Sequence, residues 1–205
     1  MTFPFSRKSF TEETQSRKVA LGSALSLLLE LVQVLAISLA IIIPVRYFLV
    51  QPFYVKGASM EPSFFDHEYL IIDELSYRFT QPERGDIVVF RYPADPKQFF
   101  IKRVIGLPGE TVEVAGGQIK IYNDKNPNGV VLDETKYLDQ MYTAMTRTVT
   151  LKNNEYYVMG DNRVASLDSR IFGPVERSSI VGRVWLRGWP LDRWKLFQDQ
   201  TYQSL

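Results

Sequence analysis

The sequence predicts a mainly β protein behind one N-terminal membrane-crossing helix, and three observations carry that prediction. The 27 residues between Lys18 and Arg46 contain only two strongly polar members beyond serines, Glu30 and Gln33. After residue 68 the pattern changes to apolar runs of four to eight residues bounded by turn residues, rich in Val, Ile, Phe and Tyr; runs of this kind form strands. A more polar, turn-rich stretch from about 115 to 153 interrupts them, which predicts a small inserted β subdomain. At 205 residues and 45% hydrophobic content, the chain holds a membrane segment plus one core of ordinary domain size.

The membrane segment comes first. A helix rises about 1.5 Å per residue, so about 20 residues cross the hydrocarbon core, and a span from Leu31 to Val50 is long enough. Glu30 then marks the inner boundary and Arg46 snorkels towards the outer interface. Arg7, Lys8, Arg17 and Lys18 precede the span, which favours residues 1–30 in the cytoplasm and residues 51–205 outside. A cleaved signal peptide and a buried soluble helix are the alternatives. The apolar run exceeds a typical h-region, and Lys56-Gly57-Ala58 offers no good small-x-small cleavage site, so a retained signal-anchor is the better reading.

The strands follow in order at 69–73, 86–91, 99–105, 111–114, 118–122, 147–151, 156–159 and 180–186. Gln118-Ile119-Lys120-Ile121 alternates polar and apolar side chains, as a half-buried strand must. Gly116-Gly117, Asn126-Pro127-Asn128-Gly129 and Asn153-Asn154 read as turns. Because these strands begin at residue 69, a chain starting near Phe53 is expected to fold without what precedes it.

Composition narrows the chemistry. The formal net charge of +1 provides no field for nucleic acid. With no cysteine, disulfides, thiolate metal sites and cysteine-protease chemistry are excluded. There is a single histidine, His67, eight residues beyond Ser59 and read as a polar loop residue. A serine nucleophile in this chain therefore has lysine as its natural base.

Ser59 stands in Gly57-Ala58-Ser59-Met60-Glu61-Pro62, a turn that presents a hydroxyl and a free N–H able to stabilise an oxyanion. Alone, it is no more than a turn serine. Lys102 stands in Ile101-Lys102-Arg103-Val104-Ile105-Gly106-Leu107-Pro108-Gly109-Glu110, on a predicted strand whose alternation puts it with Phe100 and Val104 and puts Arg103 with Ile101 and Ile105. Burial drives a lysine pKa down towards neutrality, but both faces are apolar, and periodicity leaves open which basic side chain is buried. A third segment, Gly160-Asp161-Asn162-Arg163-Val164-Ala165-Ser166-Leu167-Asp168-Ser169-Arg170, is dense in short polar groups; by itself it reads as an Asx-rich loop.

Together the three segments resemble bacterial type I signal peptidase, the leader peptidase family, over nearly everything from the membrane segment to about residue 188. The Ser-Met-x-Pro box is matched at Ser59, the Lys-Arg-Val-Ile-Gly-x-Pro-Gly box at Lys102, and the third box at Ser166, with Asp161, Asp168 and Arg170 at supporting positions. The resemblance implies a Ser59 nucleophile with its own N–H as oxyanion donor, a Lys102 general base, and Ser166 orienting that base, with no metal and no cofactor. It implies a membrane-bound serine endopeptidase that cleaves signal peptides from exported preproteins after small residues. The partners it implies are preprotein signal peptides, membrane phospholipid and a position near the export translocon; the location is the bacterial cytoplasmic membrane, crossed once, with the catalytic domain extracytoplasmic. Gly57 departs from members that carry a serine donor there, Ser63 replaces a Thr, His67 stands where Gly is common, and Val164 and Ala165 replace polar residues. The rival from another class is a membrane-anchored β domain for binding or assembly without catalysis. The nine residues from Val50 to Ser59 span at most about 30 Å, which is expected to keep the site close to the bilayer.

Overall fold

The computed structural model describes residues 25–43, 50–138 and 145–197 and divides into two compact units, 1–47 and 48–205. In the first, α1 spans Leu25–Ile43, 19 residues that expose apolar side chains all around. At 1.5 Å per residue its length is about 28 Å, close to the thickness of a hydrocarbon core. Among the described residues it is the one helix long and apolar enough to cross a membrane. The expected upper end of that span is different: Val50 opens strand β1 (Val50–Tyr54), where it pairs with Asp73. Arg46 lies outside the described residues.

The second unit contains two antiparallel sheets. The larger has β1, β2 (Tyr69–Asp73), β3 (Ile87–Tyr92), β4 (Asp95–Gly106), β9 (Glu155–Met159), β10 (Val175–Glu176), β11 (Ile180–Trp189) and β12 (Lys195–Leu196). Its order is β1-β2-β11-β3-β4-β9-β10, with β12 on β11. Strands therefore begin at Val50 and not at residue 69, and a chain starting near Phe53 would lack three of the five residues of the edge strand β1. Between β4 and β9 the chain inserts the smaller sheet, β5 (Thr111–Ala115), β6 (Gln118–Asn123), β7 (Asn126–Val131) and β8 (Arg147–Thr150), ordered β7-β6-β5-β8.

Alternation explains the inserted sheet. Val112, Val114, Ile119 and Ile121 are buried while Glu113 and Lys120 face each other across β5 and β6 on the other side. Gly116 and Gly117 make the hairpin turn, both at positive φ, which a two-residue turn of this hand requires. The expected turn at Asn126-Pro127-Asn128-Gly129 is instead the start of β7. That strand is the sheet's edge, where proline's missing N–H costs no ladder bond, and Asp124-Lys125 make the turn.

Three apolar clusters flank the middle strands. Ile105, Tyr157 and Met159 pack with the inserted sheet. Met60, Phe64, Leu70, Ile72, Val89 and Val184 form a second cluster beneath the loop after β1, and Val88, Phe90, Val104 and Val158 a third. Strand β4 supplies all three: its outer half is exposed, and from Lys102 to Gly106 every residue is buried.

Candidate active site

The loop between β1 and β2 carries Ser59. Met60 and Phe64, wholly buried in the cluster below, anchor the loop on either side of Pro62, and the Phe64 N–H bonds the Met60 carbonyl at 2.8 Å. Burying two such side chains contributes about 1.5–3 kcal/mol each, so the turn that lifts the Ser59 hydroxyl is held from beneath.

Strand β4 brings Lys102 to it. Lys102 Nζ lies 2.7 Å from Ser59 Oγ and 2.8 Å from the Ile101 carbonyl, and 5.5 Å from the centre of the Phe100 ring. The side chain is buried and, among the described residues, makes no hydrogen bond or ion pair with a carboxylate. Burial lowers its pKa from 10.5 to about 8, more than the fields of Asp168 and Asp161 raise it. An amine so placed is partly neutral near physiological pH and can accept a proton from the hydroxyl beside it.

Arg103, the next residue, is buried as well, so the open question of which base the strand buries has the answer that it buries both. Its guanidinium grips Asp161 through Nε at 2.9 Å and Nη2 at 2.7 Å, donates to the Gly85 carbonyl at 3.0 Å and stacks on Tyr137 at 3.9 Å. Asp161, expected to support the site, thus neutralises the neighbour of Lys102.

The third segment runs from β9 to the short helix α2 (Ser169–Phe172). Asp168 caps α2, accepts from the Gly160 N–H at 3.1 Å and pairs with Arg170 at 2.8 Å. Arg170 Nη1 reaches the Arg163 carbonyl at 2.7 Å, so both supporting positions hold the shape of this loop. Ser166 is buried but its Oγ has no hydrogen-bond partner; the bond to Lys102 is not formed. Ser166 Oγ lies over Gly160, where a Cβ would come within 2.1 Å of that oxygen and 2.4 Å of the Ser59 carbonyl. Only a residue without a side chain lets the two segments approach so closely.

Three residues of this arrangement were not singled out from the sequence. Arg103 stood in the same box as Lys102, and Asn162 in the Gly-Asp-Asn-Arg run. Glu134, which grips buried Arg163 from the segment that follows β7 within the insertion, had no local signal. Gly57 donates its N–H to Asp66 Oδ1 at 2.9 Å, so it is not the second oxyanion donor. His67 is exposed, takes a positive φ of 69° and contacts Tyr54 and Asp66. It makes no hydrogen bond with Ser59.

A cleft of about 460 Å³ opens over the pair, with Phe53, Leu70, Val89 and Ile101 in its apolar wall. Strand β4 pairs with β3 through residues 99–103 but with β9 only from Arg103 onward, which leaves one edge of Phe99–Lys102 unpaired beside the cleft. Among the described residues no group of His, Asp and Glu is arranged to hold a metal ion.

Residues 28–189 match the family described as signal peptidase, peptidase S26. A probable signal peptidase I-2 of Synechocystis is 38% identical over 179 residues, covering 84% of this chain and 78% of its own. Signal peptidase I of Leptolyngbya laminosa is 37% identical over 173 residues, covering 81% and 82%. Signal peptidase IB of Staphylococcus aureus is 32% identical over 179 residues, covering 82% and 93%. With the Ser59 hydroxyl against the buried Lys102 amine and this extent of likeness, the chain belongs to the peptidase S26 family of signal peptidases.

Proposed function

We propose that this chain is a membrane-bound serine endopeptidase that removes N-terminal signal peptides from preproteins, with Ser59 as nucleophile and Lys102 as general base. The observation that carries the reading is the 2.7 Å contact between Lys102 Nζ and Ser59 Oγ, made by an amine whose pKa burial has lowered to about 8. The names of its relatives support the substrate class.

The preprotein enters the cleft as an extended strand along the free edge of β4, main chain against main chain. Neutral Lys102 takes the Ser59 proton as Oγ attacks the scissile carbonyl, and the Ser59 N–H donates to the oxyanion that forms. Lys102 then gives that proton to the leaving amine, the C–N bond breaks and an acyl-enzyme remains. Water, deprotonated by the same amine, hydrolyses the ester and restores the hydroxyl. Ser166, whose hydroxyl has no other partner, takes over the Lys102 amine when Ser59 Oγ turns to substrate, and so keeps the base aimed. Small side chains at −1 and −3 are what the family resemblance implies, and the apolar wall of the cleft can take them. Helix α1 anchors the domain, with the N-terminus in the cytoplasm and the active site at the outer face of the membrane, against phospholipid and near the export translocon.

The test is incubation of the detergent-solubilised full-length chain with a preprotein, followed by sequencing of the new N-terminus. Cleavage after a small residue is expected, and Ser59→Ala and Lys102→Met are each expected to abolish it with the fold intact. Ser166→Ala is expected to lower kcat strongly with KM little changed. Turnover retained in either dyad variant overturns the mechanism. A domain that binds preprotein and never cuts it supports the non-catalytic alternative.

A further inference from the structure

One residue joins the third segment to the nucleophile turn with all three of its polar groups outside its own carbonyl. The Asn162 N–H donates to the Ser59 carbonyl at 3.1 Å, its side-chain Nδ2 donates to the Ala58 carbonyl at 3.1 Å, and its Oδ1 accepts from the Ala165 N–H at 3.1 Å. A carbonyl on one side and an N–H on the other leave the amide a single satisfied orientation. Asn162 therefore ties the turn that carries Ser59 to the residue just before Ser166.

The bond to Ala58 has a directional consequence. The Ala58 carbonyl and the Ser59 N–H belong to one peptide group, which is planar, and in the trans form its C=O and N–H point in opposite directions. The same carbonyl accepts from the Glu61 N–H at 3.2 Å within the turn, and the two donors together hold it and turn the Ser59 N–H away from them. Ser59 lines the cleft, and among the described residues its N–H has no acceptor. Gly57 brings no side-chain donor and its own N–H is engaged by Asp66. The aim of one N–H accordingly governs how well a developing oxyanion is met.

We propose that Asn162 is a positioning residue that sets the direction of the oxyanion-binding Ser59 N–H. The inference rests on Ser59 being the nucleophile, as proposed above. Its effect is confined to the transition state, because a ground-state carbonyl depends less on that donor than a tetrahedral oxyanion does.

The experiment compares full-length wild type, Ser59→Ala, Asn162→Asp and Asn162→Ala in detergent, with rates expressed per folded protein from circular dichroism. Asn162→Asp keeps the size and sets a carboxylate oxygen against the Ala58 carbonyl, while Asn162→Ala removes the contact. Removing an oxyanion donor outright costs about 10²–10³ in kcat; misdirecting one is expected to lower kcat about 10- to 100-fold, with KM and the affinity for an uncleavable peptide unchanged. The affinity for a substrate-like peptide aldehyde, whose adduct with the Ser59 hydroxyl carries the oxyanion, is expected to fall in step with kcat. In Asn162→Ala the acid limb of the pH–rate profile is expected to stay at its wild-type position, since Lys102 is untouched, whereas the added carboxylate of Asn162→Asp favours the ammonium and moves the limb to higher pH. Wild-type kcat in both variants overturns the inference, as do weakened binding of the uncleavable peptide, a displaced acid limb in Asn162→Ala, or loss of folding in both variants. Full turnover by Ser59→Ala sinks the nucleophile assignment itself, whatever the Asn162 variants do.

Discussion

Lys102 and Arg103 are successive residues of one strand, carry the same formal charge and are equally hidden from solvent, yet their surroundings are opposites. Arg103 has a carboxylate on two of its nitrogens, a carbonyl, and an aromatic ring beneath it. Lys102 has a hydroxyl, a carbonyl and no carboxylate partner. A buried charge that is paired can remain charged, whereas one left without a counter-ion lowers its pKa and becomes a base. The difference teaches that burial is common to structure and chemistry, and that the partner decides between them.

The largest effect is expected from unpairing Arg103. Asp161→Ala removes the carboxylate that two of the arginine's buried nitrogens grip, and a loss of about 3–5 kcal/mol in stability is expected by urea denaturation. Removing both partners together, as Asp161→Ala with Arg103→Leu, is expected to cost less than the single change. If the single change is harmless, the pair is not what holds Arg103.

The opposite sign is expected at Lys102. Its pKa in the folded protein is lowered from 10.5 to about 8, which at about 1.36 kcal/mol per unit is about 3 kcal/mol. The unfolded chain therefore binds the proton more tightly, and stability rises with pH between about 8 and 10.5. Below pH 8 the lysine is charged in both states and the whole penalty is present. Lys102→Met is expected to abolish turnover and to raise stability at pH 7 by up to about 3 kcal/mol, less the lost hydrogen bonds, with the gain shrinking above pH 8. A destabilised Lys102→Met protein at pH 7 contradicts the account.

Smaller effects sharpen the same contrast. With Lys102 as the proposed base, kcat/KM is expected to rise with pH on a limb near pH 8 and to fall about tenfold per unit below it. A limb in the carboxylate range points instead to Asp161 or Asp168 as the base. The exposed imidazole is the control. His67→Ala is expected to change kcat/KM less than about twofold, because an exposed surface contact contributes little.

Much of the fold was legible because a strand's alternation records which face is covered. Strand β2 stands at the predicted residues, and β5, β6 and β9 end within a residue of them. The predicted turn at 126–129 failed for a reason outside its own composition: an edge position tolerates Pro127 in a strand, and the sequence does not announce which strand lies at the edge. The Gly-Gly hairpin was readable because positive φ at both residues is a local requirement, met at little cost by glycine.

The chemistry divides the same way. The chain by itself determined the absence of a thiol, the single histidine, the three polar boxes and an apolar run long enough for a bilayer, because these depend on residue identity and spacing alone. The burial of both Lys102 and Arg103, the pairing of Asp161 with the arginine, and the bonds from Asn162 to the Ala58 and Ser59 carbonyls came from the fold in three dimensions. Glu134 and Arg163 lie 29 residues apart, and Ser59 and Lys102 lie 43 apart. The period of a strand tells which side a residue faces, but what is packed on that side comes from distant segments, and pKa depends on those neighbours.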